Sequence, residues 1–409
     1  MKDFFKVTDI ERVFDHIIEF PVVGSEEIPL SETVGRILAV DVTSVADLPL
    51  FRRSTMDGYA VKASSSFGAS EGNPAYLHIR GEVVMGVPPL FSIGAGEAAY
   101  IPTGGMLPDG ADSVVMIEHA ERLDETALEI YKSVAPGQNV IEKGEDFKEN
   151  ELVLKAGTFI RPQECGLMAA FGMSRVCVYR KPVVGIISTG DEIVSVNENP
   201  RAGQIRDINS YTLAGLIAGS GGNPVLFGIV KDDYHMLSDR CAEAVDKSDM
   251  VFLSGGSSVG MRDLTVQVLS ELPDSRIIFH GISISPGKPT LLAKTGNKAC
   301  WGLPGHVVSA MIVFSVVVRP FLQHISGFSR ENRSEFRISA KLTRNIPSAQ
   351  GRTEFIRVRL KQNERTLWAE PILGKSGLIN TMVKADGLIR IPIHTEGLDE
   401  GAMVEVIPF

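Results

Sequence analysis

The chain has 409 residues, a formal net charge of −9, 44% hydrophobic residues and 22% charged residues. This length allows about three domains of roughly 150 residues, and the composition is typical of a soluble globular protein. The negative charge argues against a nucleic acid or an acidic membrane as a partner, so an anionic ligand would need a local cluster of cations. Four cysteines without a C-x-x-C pair argue against a zinc ribbon, a redox motif or a disulfide framework, and fit a reducing cytoplasm.

The N-terminal segment lacks the long apolar core of a secretory signal. Thr8 and Glu11 have the spacing of a capping box, and the apolar stripe that follows predicts a helix that ends before Pro21. A short helix opening at Ser31 and a strand at 38–45 come next. The stripe is expected to pack against a core or another subunit.

The sequence pattern changes between residues 49 and 148, where short apolar runs alternate with glycine and proline. This pattern predicts a β-rich domain inserted into the first one. Helical pattern returns around 162–171 and a strand follows at 176–179, so residues 1–48 and 149–181 are predicted to form one discontinuous domain.

Strand and helix patterns alternate after Pro182, which predicts a parallel sheet covered on both faces. The predicted elements are strands 183–188, 225–230 and 250–254 and helices 209–218, 235–246 and 264–272. The apolar run 307–318 falls short of the ~20 residues of a membrane span, and we interpret it as a buried helix. Alternating apolar and polar residues after 329 predict a small β-barrel or sandwich.

Open parallel sheets bind their ligands beyond the carboxyl ends of the strands. Four loops are expected at that edge: Ser188–Glu192, the serine–glycine loop Ser254–Gly260, Ser285–Pro289 and Leu303–His306. Each loop alone fits a tight turn, but together they predict an anion-binding crevice. Glycine N–H groups followed by a helix N-terminus favour a phosphate as the anion.

Acidic side chains are expected to share this crevice. Glu192 and Asp263 follow two of the strands, and Asp232 lies at the end of a third. Carboxylates repel a phosphate unless a cation bridges them, and Mg²⁺ takes oxygen ligands and bridges phosphate oxygens. We therefore predict a magnesium-dependent reaction at a phosphate or pyrophosphate, with Glu192 and Asp263 as metal ligands. The alternatives are a helix cap for Asp263 and a solvated loop acid for Asp232.

Seven motifs occur in the order expected of the molybdopterin molybdenumtransferases, the MoeA proteins, whose relatives include the E domain of gephyrin. They are Ser54–Val61, Pro102–Asp112, Gly144–Asp146, Ser188–Glu192, the serine–glycine loop, Pro286–Pro289 and Leu303–Gly305. The resemblance to this family covers essentially the full chain, and seven ordered motifs make it specific.

The resemblance implies an elongated four-domain homodimer of α/β-plus-β class. Its expected parts are a discontinuous N-terminal dimerisation domain (1–48 and 149–181), an inserted β-rich domain (49–148), a parallel α/β domain of the molybdopterin-binding type (182–328) and a C-terminal β-barrel (329–409). It further implies Mg²⁺-dependent hydrolysis of adenylylated molybdopterin, with release of AMP and insertion of molybdenum from molybdate into the dithiolene. A molybdopterin adenylyltransferase partner would supply that substrate in the cytoplasm, during molybdenum cofactor biosynthesis.

The resemblance also implies the site residues, in a site between two subunits. The catalytic positions are Asp57, Thr103, Asp146, Glu192, Asp232 and Asp263. The phosphate would be held by Ser254, Gly255, Gly256, Ser257, Ser258 and Gly260. Molybdate would be held by Lys288, Ser309, Arg352 and Ser376, flanked by Pro289 and Pro304. A surface position for Arg352 and an Asp-Gly turn at Asp57 are the alternatives.

Three residues depart from the family pattern. Ser285 stands where many relatives have a lysine, and His306 and Val307 replace the usual Asn-Pro. The missing cation leaves the choice between molybdate and tungstate open, and His306 would either donate to the oxyanion or cap the following helix. Two other functions stay open: a molybdopterin adenylyltransferase, which the α/β domain resembles, and a non-catalytic scaffold of the gephyrin type.

Overall fold

The structure, a computed structural model, describes residues 7–255, 259–329 and 336–409, without the side chains of 259–263. The chain divides into two compact units. The larger comprises Met1–Val40, Ala156–Pro162 and Arg175–Phe409, and the smaller comprises Asp41–Lys155 and Gln163–Ser174. The chain therefore leaves the larger unit and returns to it twice. The four-domain boundaries proposed above stay a prediction.

A six-stranded sheet forms the smaller unit. Its strands follow the order Ser113–Met116, Gly58–Val61, Glu97–Ile101, Ala75–Glu82, Ala127–Ile130 and Ala120–Arg122. Tyr59 and Val61 pack into one apolar cluster and Ala60 packs into another, so both faces of this sheet are buried. The predicted β-rich domain is confirmed. Smaller elements of this unit are the strand pairs Val42–Thr43 with Leu152–Leu154 and Arg53–Ser54 with Val140–Ile141, the 3₁₀ turns Ala63–Ser66 and Ile117–His119, and most of helix Pro162–Ala170.

A six-stranded mixed sheet organises the larger unit. Its order is Asn223–Val230, Val183–Thr189, Met250–Gly255, Lys298–Leu303, Leu291–Thr295 and Ser275–His280. The first four strands are parallel. Three helices lie between strands in sequence: Asn209–Gly219, Tyr234–Lys247 and Val259–Glu271. The two central strands are buried almost throughout, as a parallel sheet with covered faces requires. The predicted alternation of strands and helices is confirmed.

The far edge of this sheet departs from an all-parallel pattern. Leu291–Thr295 runs antiparallel to both Lys298–Leu303 and Ser275–His280. A two-residue turn beginning at Gly296, which has φ of +56°, joins the first pair. Such tight hairpins need a residue with positive φ, which glycine adopts without strain. The two reversals leave Ser275–His280 running in the same direction as the parallel strands.

One apolar helix forms the centre of the larger core. It runs from Val307 to Ile325, with a turn of π-helix at Phe314–Val318. Its length and mean hydropathy of 1.6 would suffice to cross a membrane, but 61% of its apolar window is buried inside the protein. The rings of Trp301 and Phe321 meet edge to face with centroids 5.0 Å apart. The predicted buried helix is confirmed and extends beyond residue 318.

The N-terminal helix differs from its prediction. It consists of an α-helical turn, Ile10–Val13, followed by a 3₁₀ segment, Phe14–Glu19. The predicted capping box is wrong, because Asp9 occupies the N-cap and accepts the N–H of Glu11 at 3.4 Å. The buried residues of the stripe join the core around the apolar helix: Ile10, Val13 and Ile17.

The segment after this helix contains less regular structure than the sequence suggested. The helix predicted at Ser31 is a single 3₁₀ turn, Leu30–Glu32, and only Val42–Thr43 of the strand predicted at 38–45 pairs as a strand. Ser25–Pro29 instead pairs antiparallel with Arg175–Tyr179. We did not predict that strand, because its first three residues are exposed and carry no apolar alternation.

The C-terminal strands close a five-stranded barrel. Around the barrel they are Thr353–Asn363, Thr366–Pro371, Ile338–Leu342, Met403–Pro408 and Gly387–Ile391, and the last pairs back to the first. Inward-facing residues such as Leu342, Val358 and Ile391 are fully buried. The predicted barrel is confirmed. Smaller elements of the larger unit are the strand pairs Ile193–Val194 with Ile205–Arg206 and Ile346–Pro347 with Gly397–Leu398, and helix Asn380–Val383.

An ion pair anchors the first strand of the mixed sheet. Both terminal nitrogens of Arg180 donate to Asp249 at 2.6 Å, and the N–H of Val183 donates to the same carboxylate at 2.8 Å. Burial opposes ionisation of Asp249, but the hydrogen bonds from Arg180 and Val183 outweigh it and lower its pKa below the ordinary 3.8. The resulting stabilisation is present above that ordinary value and is lost as the pH falls through the lowered one.

We expect Asp249→Asn to lower the free energy of unfolding by about 1–3 kcal/mol at neutral pH, because it removes hydrogen bonds to a charged group. The deficit should shrink below about pH 4, where the wild-type carboxyl also takes up its proton. Urea denaturation followed by circular dichroism measures both values. The control is Asp246→Asn, which alters an exposed carboxylate three residues earlier. Equal losses for the two variants at neutral pH would contradict the role of the ion pair.

Candidate functional site

The predicted loops begin at one edge of the mixed sheet. The register places Ser188, Ser254 and Leu303 side by side on three neighbouring parallel strands. The loops that follow these residues, together with the segment after His280, therefore leave the sheet at its carboxyl edge. This edge is where parallel sheets present loop residues to a ligand.

Three carboxylates gather at this edge. Asp232 accepts a hydrogen bond from the hydroxyl of Thr189 at 3.4 Å, and its N–H donates to the Asp191 carboxylate at 3.3 Å. Burial, followed by the negative charges of Asp191 and Glu192, raises the pKa of Asp232. In the part of the chain that the structure describes, no group of three or more acidic, histidine or cysteine residues could hold a metal ion. A cation bound here would therefore have fewer than three ligands from these described residues.

The serine–glycine loop begins where two strands approach closely. Ser254 is buried. A Cβ on Gly255 would lie 2.0 Å from the carbonyl oxygen of Thr189, so a side chain is excluded at that position. Gly256, Ser257 and Ser258 lie outside the described residues, and their phosphate-binding role stays a prediction.

The helix after this loop starts earlier than predicted, at Val259 instead of residue 264. Gly260 and Asp263 therefore belong to its first turns. The side chain of Asp263 is outside what the structure describes. Its role as a metal ligand stays a prediction.

A cavity of about 300 Å³ lies between the sheet edge and the barrel. Seven of the predicted ligand-binding residues line it: Gly255, Lys288, Pro289, Pro304, Ser309, Arg352 and Ser376. Ser285 and His306, two of the departures noted in the sequence, line it as well. The cavity therefore offers an anion two cationic side chains and several hydroxyl groups.

Strand pairing between the α/β sheet domain and the barrel brings Lys288 and Arg352 together. The short strand Ile284–Ser285 pairs in parallel with the first two residues of the barrel strand Thr353–Asn363. Arg352 directly precedes the barrel strand, and Lys288 follows the short strand by three residues. Both side chains consequently reach the same cavity, although 64 residues separate them in sequence.

Polar partners hold two of the cavity residues in place. Glu354 is 7% exposed, and its carboxylate lies 2.5 Å from the guanidinium of Arg352. His306 and Ser376 are joined by a hydrogen bond of 3.2 Å between Nδ1 and Oγ. His306 occupies the N-cap of the apolar helix, but its side chain makes no capping hydrogen bond. Its imidazole therefore belongs to the cavity wall.

Asp57 and Thr103 form one polar contact in the smaller unit. The N–H of Thr103 donates to Asp57 Oδ1 at 2.7 Å, and both residues are exposed. Asp57 directly precedes strand Gly58–Val61, in which a Cβ on Gly58 would lie 1.9 Å from a neighbouring carbonyl oxygen. Asp146 lies in another loop, where its N–H donates to the Leu48 carbonyl. The predicted meeting of these residues with the α/β domain of a second subunit stays a prediction.

Three buried polar residues around the site escaped the sequence analysis: Asp207, Asn209 and Glu354. The run Asp207–Ser210 contains three residue types that favour helix starts, and it includes the first two residues of the predicted helix 209–218. That signal was available. Glu354 carried no comparable signal, because a single acid in an alternating strand is most often solvent-exposed.

The adjacent residues Asp232 and Asp233 provide a test of the acidic group. We expect Asp232→Asn to raise the melting temperature in the absence of divalent cations, because it removes a charge that burial and its neighbours disfavour. Solvent screening limits the gain to a few tenths of a kcal/mol. The gain should grow as the pH rises through the raised pKa of Asp232, since the stability that its proton provides is lost over that range.

Differential scanning calorimetry measures the melting temperature, and Asp233→Asn is the matched control. Asp233 is the N-cap of helix Tyr234–Lys247 and accepts the N–H of Met236 at 2.8 Å. Asparagine also caps helices, so this variant should change the stability little, whereas Asp233→Ala should cost about 1 kcal/mol. A melting temperature lowered by Asp232→Asn would contradict the proposed repulsion.

Models of three protein-family regions match successive parts of the chain. Residues 7–172 match the MoeA N-terminal region (domain I and II), 185–324 match a probable molybdopterin binding domain, and 339–409 match the MoeA C-terminal region (domain IV). Together these matches extend over nearly the whole sequence, in the order of the structural parts described above.

Relatives match over the full length as well. A Methanocaldococcus jannaschii protein named for molybdopterin biosynthesis is 36% identical over 391 residues, which are 93% of this chain and 91% of that protein. The molybdopterin molybdenumtransferase of Haemophilus influenzae is 32% identical over 394 residues, 96% and 95% of the two chains. The crystal structure of a molybdopterin biosynthesis MoeA protein from Pyrococcus horikoshii OT3 superposes with a TM-score of 0.86 at 31% identity, covering 99% of this chain and 100% of that chain. The chain therefore belongs to the molybdopterin molybdenumtransferase (MoeA) family.

Proposed function

We propose that this protein transfers molybdenum from molybdate to the dithiolene of molybdopterin. Its substrate would be adenylylated molybdopterin, whose pyrophosphate link is hydrolysed with release of AMP. The observation that carries this proposal is the convergence of Lys288, Arg352, Ser309 and Ser376 on one cavity beside the serine–glycine loop. One site then has room for an oxyanion next to a phosphate.

The cavity has the donors that a tetrahedral dianion requires. The chain as a whole is acidic, so an anion binds only where cations are concentrated. Arg352 supplies several N–H donors in a fixed plane, and the ion pair with Glu354 restrains that plane. Lys288 adds a compact charge on a flexible stem. Ser309 and Ser376 complete the set with hydroxyl groups that either donate or accept.

Glu354 also reduces the affinity of the cavity for anions. Its negative charge offsets the positive charge of Arg352, so the net attraction for an anion is weaker than it would be without Glu354. Binding of moderate strength suits a site whose anion must pass on to a second substrate. Serine at position 285 acts in the same direction, because it lines the cavity without adding a charge.

The carboxylates at the sheet edge fit a magnesium ion, by the chemistry of their oxygen donors. Mg²⁺ usually keeps several waters and is bound by one or two carboxylates together with substrate phosphates, so Glu192 and Asp263 would be sufficient protein ligands. When bound, Mg²⁺ would neutralise charge on the pyrophosphate and on the leaving phosphate.

Asp232 is suited to handling the proton of the attacking water. Its raised pKa makes the carboxylate a better proton acceptor than an ordinary aspartate. The hydroxyl of Thr189 and the N–H that Asp232 donates to Asp191 restrain the position of this carboxylate. We assign it the role of orienting water and taking its proton at a carboxylate oxygen.

The proposal includes a cytoplasmic homodimer and a molybdopterin adenylyltransferase as the source of the substrate. Asp57, Thr103 and Asp146 of one subunit would complete the site on the α/β domain of the other. The exposed Asp57–Thr103 pair supports this part, because its polar atoms are accessible to a second chain.

Lys288→Ala tests the proposed function through AMP release from adenylylated molybdopterin. We expect wild-type release to require both Mg²⁺ and molybdate or tungstate. The variant should need about 10- to 100-fold more oxyanion for half-maximal release, because it loses a charge-assisted hydrogen bond of roughly 1.5–3 kcal/mol. Chromatographic quantification of AMP against oxyanion concentration measures this shift.

The control for that experiment is Lys361→Ala, which removes an exposed lysine on a barrel strand, paired with Glu370 at 2.8 Å. Its oxyanion dependence should match that of the wild type. Release of AMP that ignores the oxyanion would refute the proposed function. An equal shift in both variants would refute the role of Lys288.

A further inference from the structure

A buried amide joins two loops of the site. Asn209 is the first residue of helix Asn209–Gly219 and is 9% exposed. Its Nδ2 donates to the hydroxyl oxygen of Ser254 at 2.7 Å and to the carbonyl oxygen of Gly305 at 2.8 Å. The two acceptors belong to the serine–glycine loop and to the Pro304–Gly305–His306 loop. Neither of these hydrogen bonds is part of the sheet itself.

The neighbouring residues attach the same segment to a third strand. The hydroxyl of Ser188 donates to Asp207 Oδ1 at 2.9 Å, and the N–H of Ser210 donates to the same oxygen at 3.1 Å. Asp207 is 7% exposed. The four residues Asp207–Ser210 therefore connect with the ends of three neighbouring strands.

The asparagine side chain suits this task. A primary amide nitrogen carries two hydrogens in a fixed plane, so it donates to two oxygens at once and sets the angle between them. Aspartate has the same shape, but when ionised it would present an oxygen to the Gly305 carbonyl, which cannot donate, so that bond would be lost even where the Ser254 hydroxyl turns to donate to the carboxylate. Because buried polar groups lose much when left unpaired, the Asn209 amide strongly favours the one arrangement that satisfies both bonds.

This arrangement sets the position of Gly305 relative to Ser254. Ser254 opens the loop assigned to the phosphate, whereas Gly305 precedes His306 in the wall of the oxyanion cavity. The two loops follow adjacent strands, but each continues into a separate helix beyond the sheet. Strand pairing fixes Ser254 opposite Leu303 but ends before Gly305, whose position relative to Ser254 is set by the shared amide of Asn209.

We propose that Asn209 is a positioning residue that holds the phosphate loop and the oxyanion wall at a fixed separation. The inference rests on the proposed function, and it adds a residue that touches neither substrate. Loosening this link should leave each ligand able to bind alone. It should slow the step in which the bound phosphate and the bound oxyanion must be correctly placed relative to each other, since a misplacement of about 1 Å can cost roughly 100-fold in rate.

Asn209→Ala and Asn209→Asp test the inference. We expect the rate constant kcat for AMP release to fall by about 100-fold, with KM within about threefold of the wild type and calorimetric affinities for AMP and for tungstate, measured separately, changed equally little. Thr212→Val is the control, because Thr212 lies one turn along the same helix and its hydroxyl donates only to the carbonyl of Asn209. That variant should keep wild-type kcat.

General damage to the fold would give a different result. Both ligand affinities, KM and the melting temperature would then change together with kcat, and this outcome would overturn the inference. Unchanged kcat in both Asn209 variants would overturn it as well.

A readout independent of turnover separates this inference from the proposed function. Amide hydrogen exchange should accelerate in Asn209→Ala at Gly305 and His306 and at the end of strand Met250–Gly255, and not in Thr212→Val. A wild-type protein that releases no AMP would refute the proposed function alone. Unaltered exchange at both loops would refute the inference about Asn209 alone.

Discussion

The cavity depends on a short stretch of parallel pairing between the α/β sheet domain and the barrel. Ile284 and Ser285 pair with Thr353 and Glu354, and the N–H of Thr353 donates to the carbonyl of Ser283 at 2.8 Å. These few backbone hydrogen bonds add a sixth strand to the edge of the barrel sheet. The loops that follow and precede the paired strands carry the two cations of the cavity. Backbone pairing therefore locates charges that neither domain could bring together alone.

Electrostatics divides the site into an acidic and a basic part. Asp191, Glu192 and Asp232 lie after the neighbouring strands Val183–Thr189 and Asn223–Val230, where burial and mutual repulsion raise the pKa of Asp232. Lys288 and Arg352 lie on the side of the barrel. An acidic protein of net charge −9 can hold two anionic groups in one crevice only if such local charges outweigh the overall charge. Asn209 lies between these parts and ties the loops that separate them.

Much of the fold follows from sequence periodicity and turn residues. The α/β alternation, the buried helix after Gly305 and the alternating barrel strands were predictable because their apolar patterns are long and regular. The strand Ser25–Pro29 was not, since an exposed edge strand leaves little apolar pattern, whereas the hairpin at Gly296-Asn297 does have a turn signal that the prediction missed. The cap at Asp9 displaced the predicted one at Thr8, because either residue can accept the first free N–H groups of a helix.

Site residues were predictable from sequence where a motif specifies the residue type. They were not predictable where contacts in the folded protein determine the role of a residue. Lys288, Ser309, Arg352 and Ser376 came from family resemblance, and the structure brings them to one cavity. Glu354 was missed because a single acid in an alternating strand is most often solvent-exposed, and the role of Asn209 was missed because its partners Ser254 and Gly305 are distant in sequence. The most direct test is tungsten anomalous diffraction from crystals soaked in tungstate. We expect a strong peak inside the cavity between Lys288, Arg352 and Ser309; a cavity without a peak, or a dominant peak elsewhere on the protein, would contradict the account.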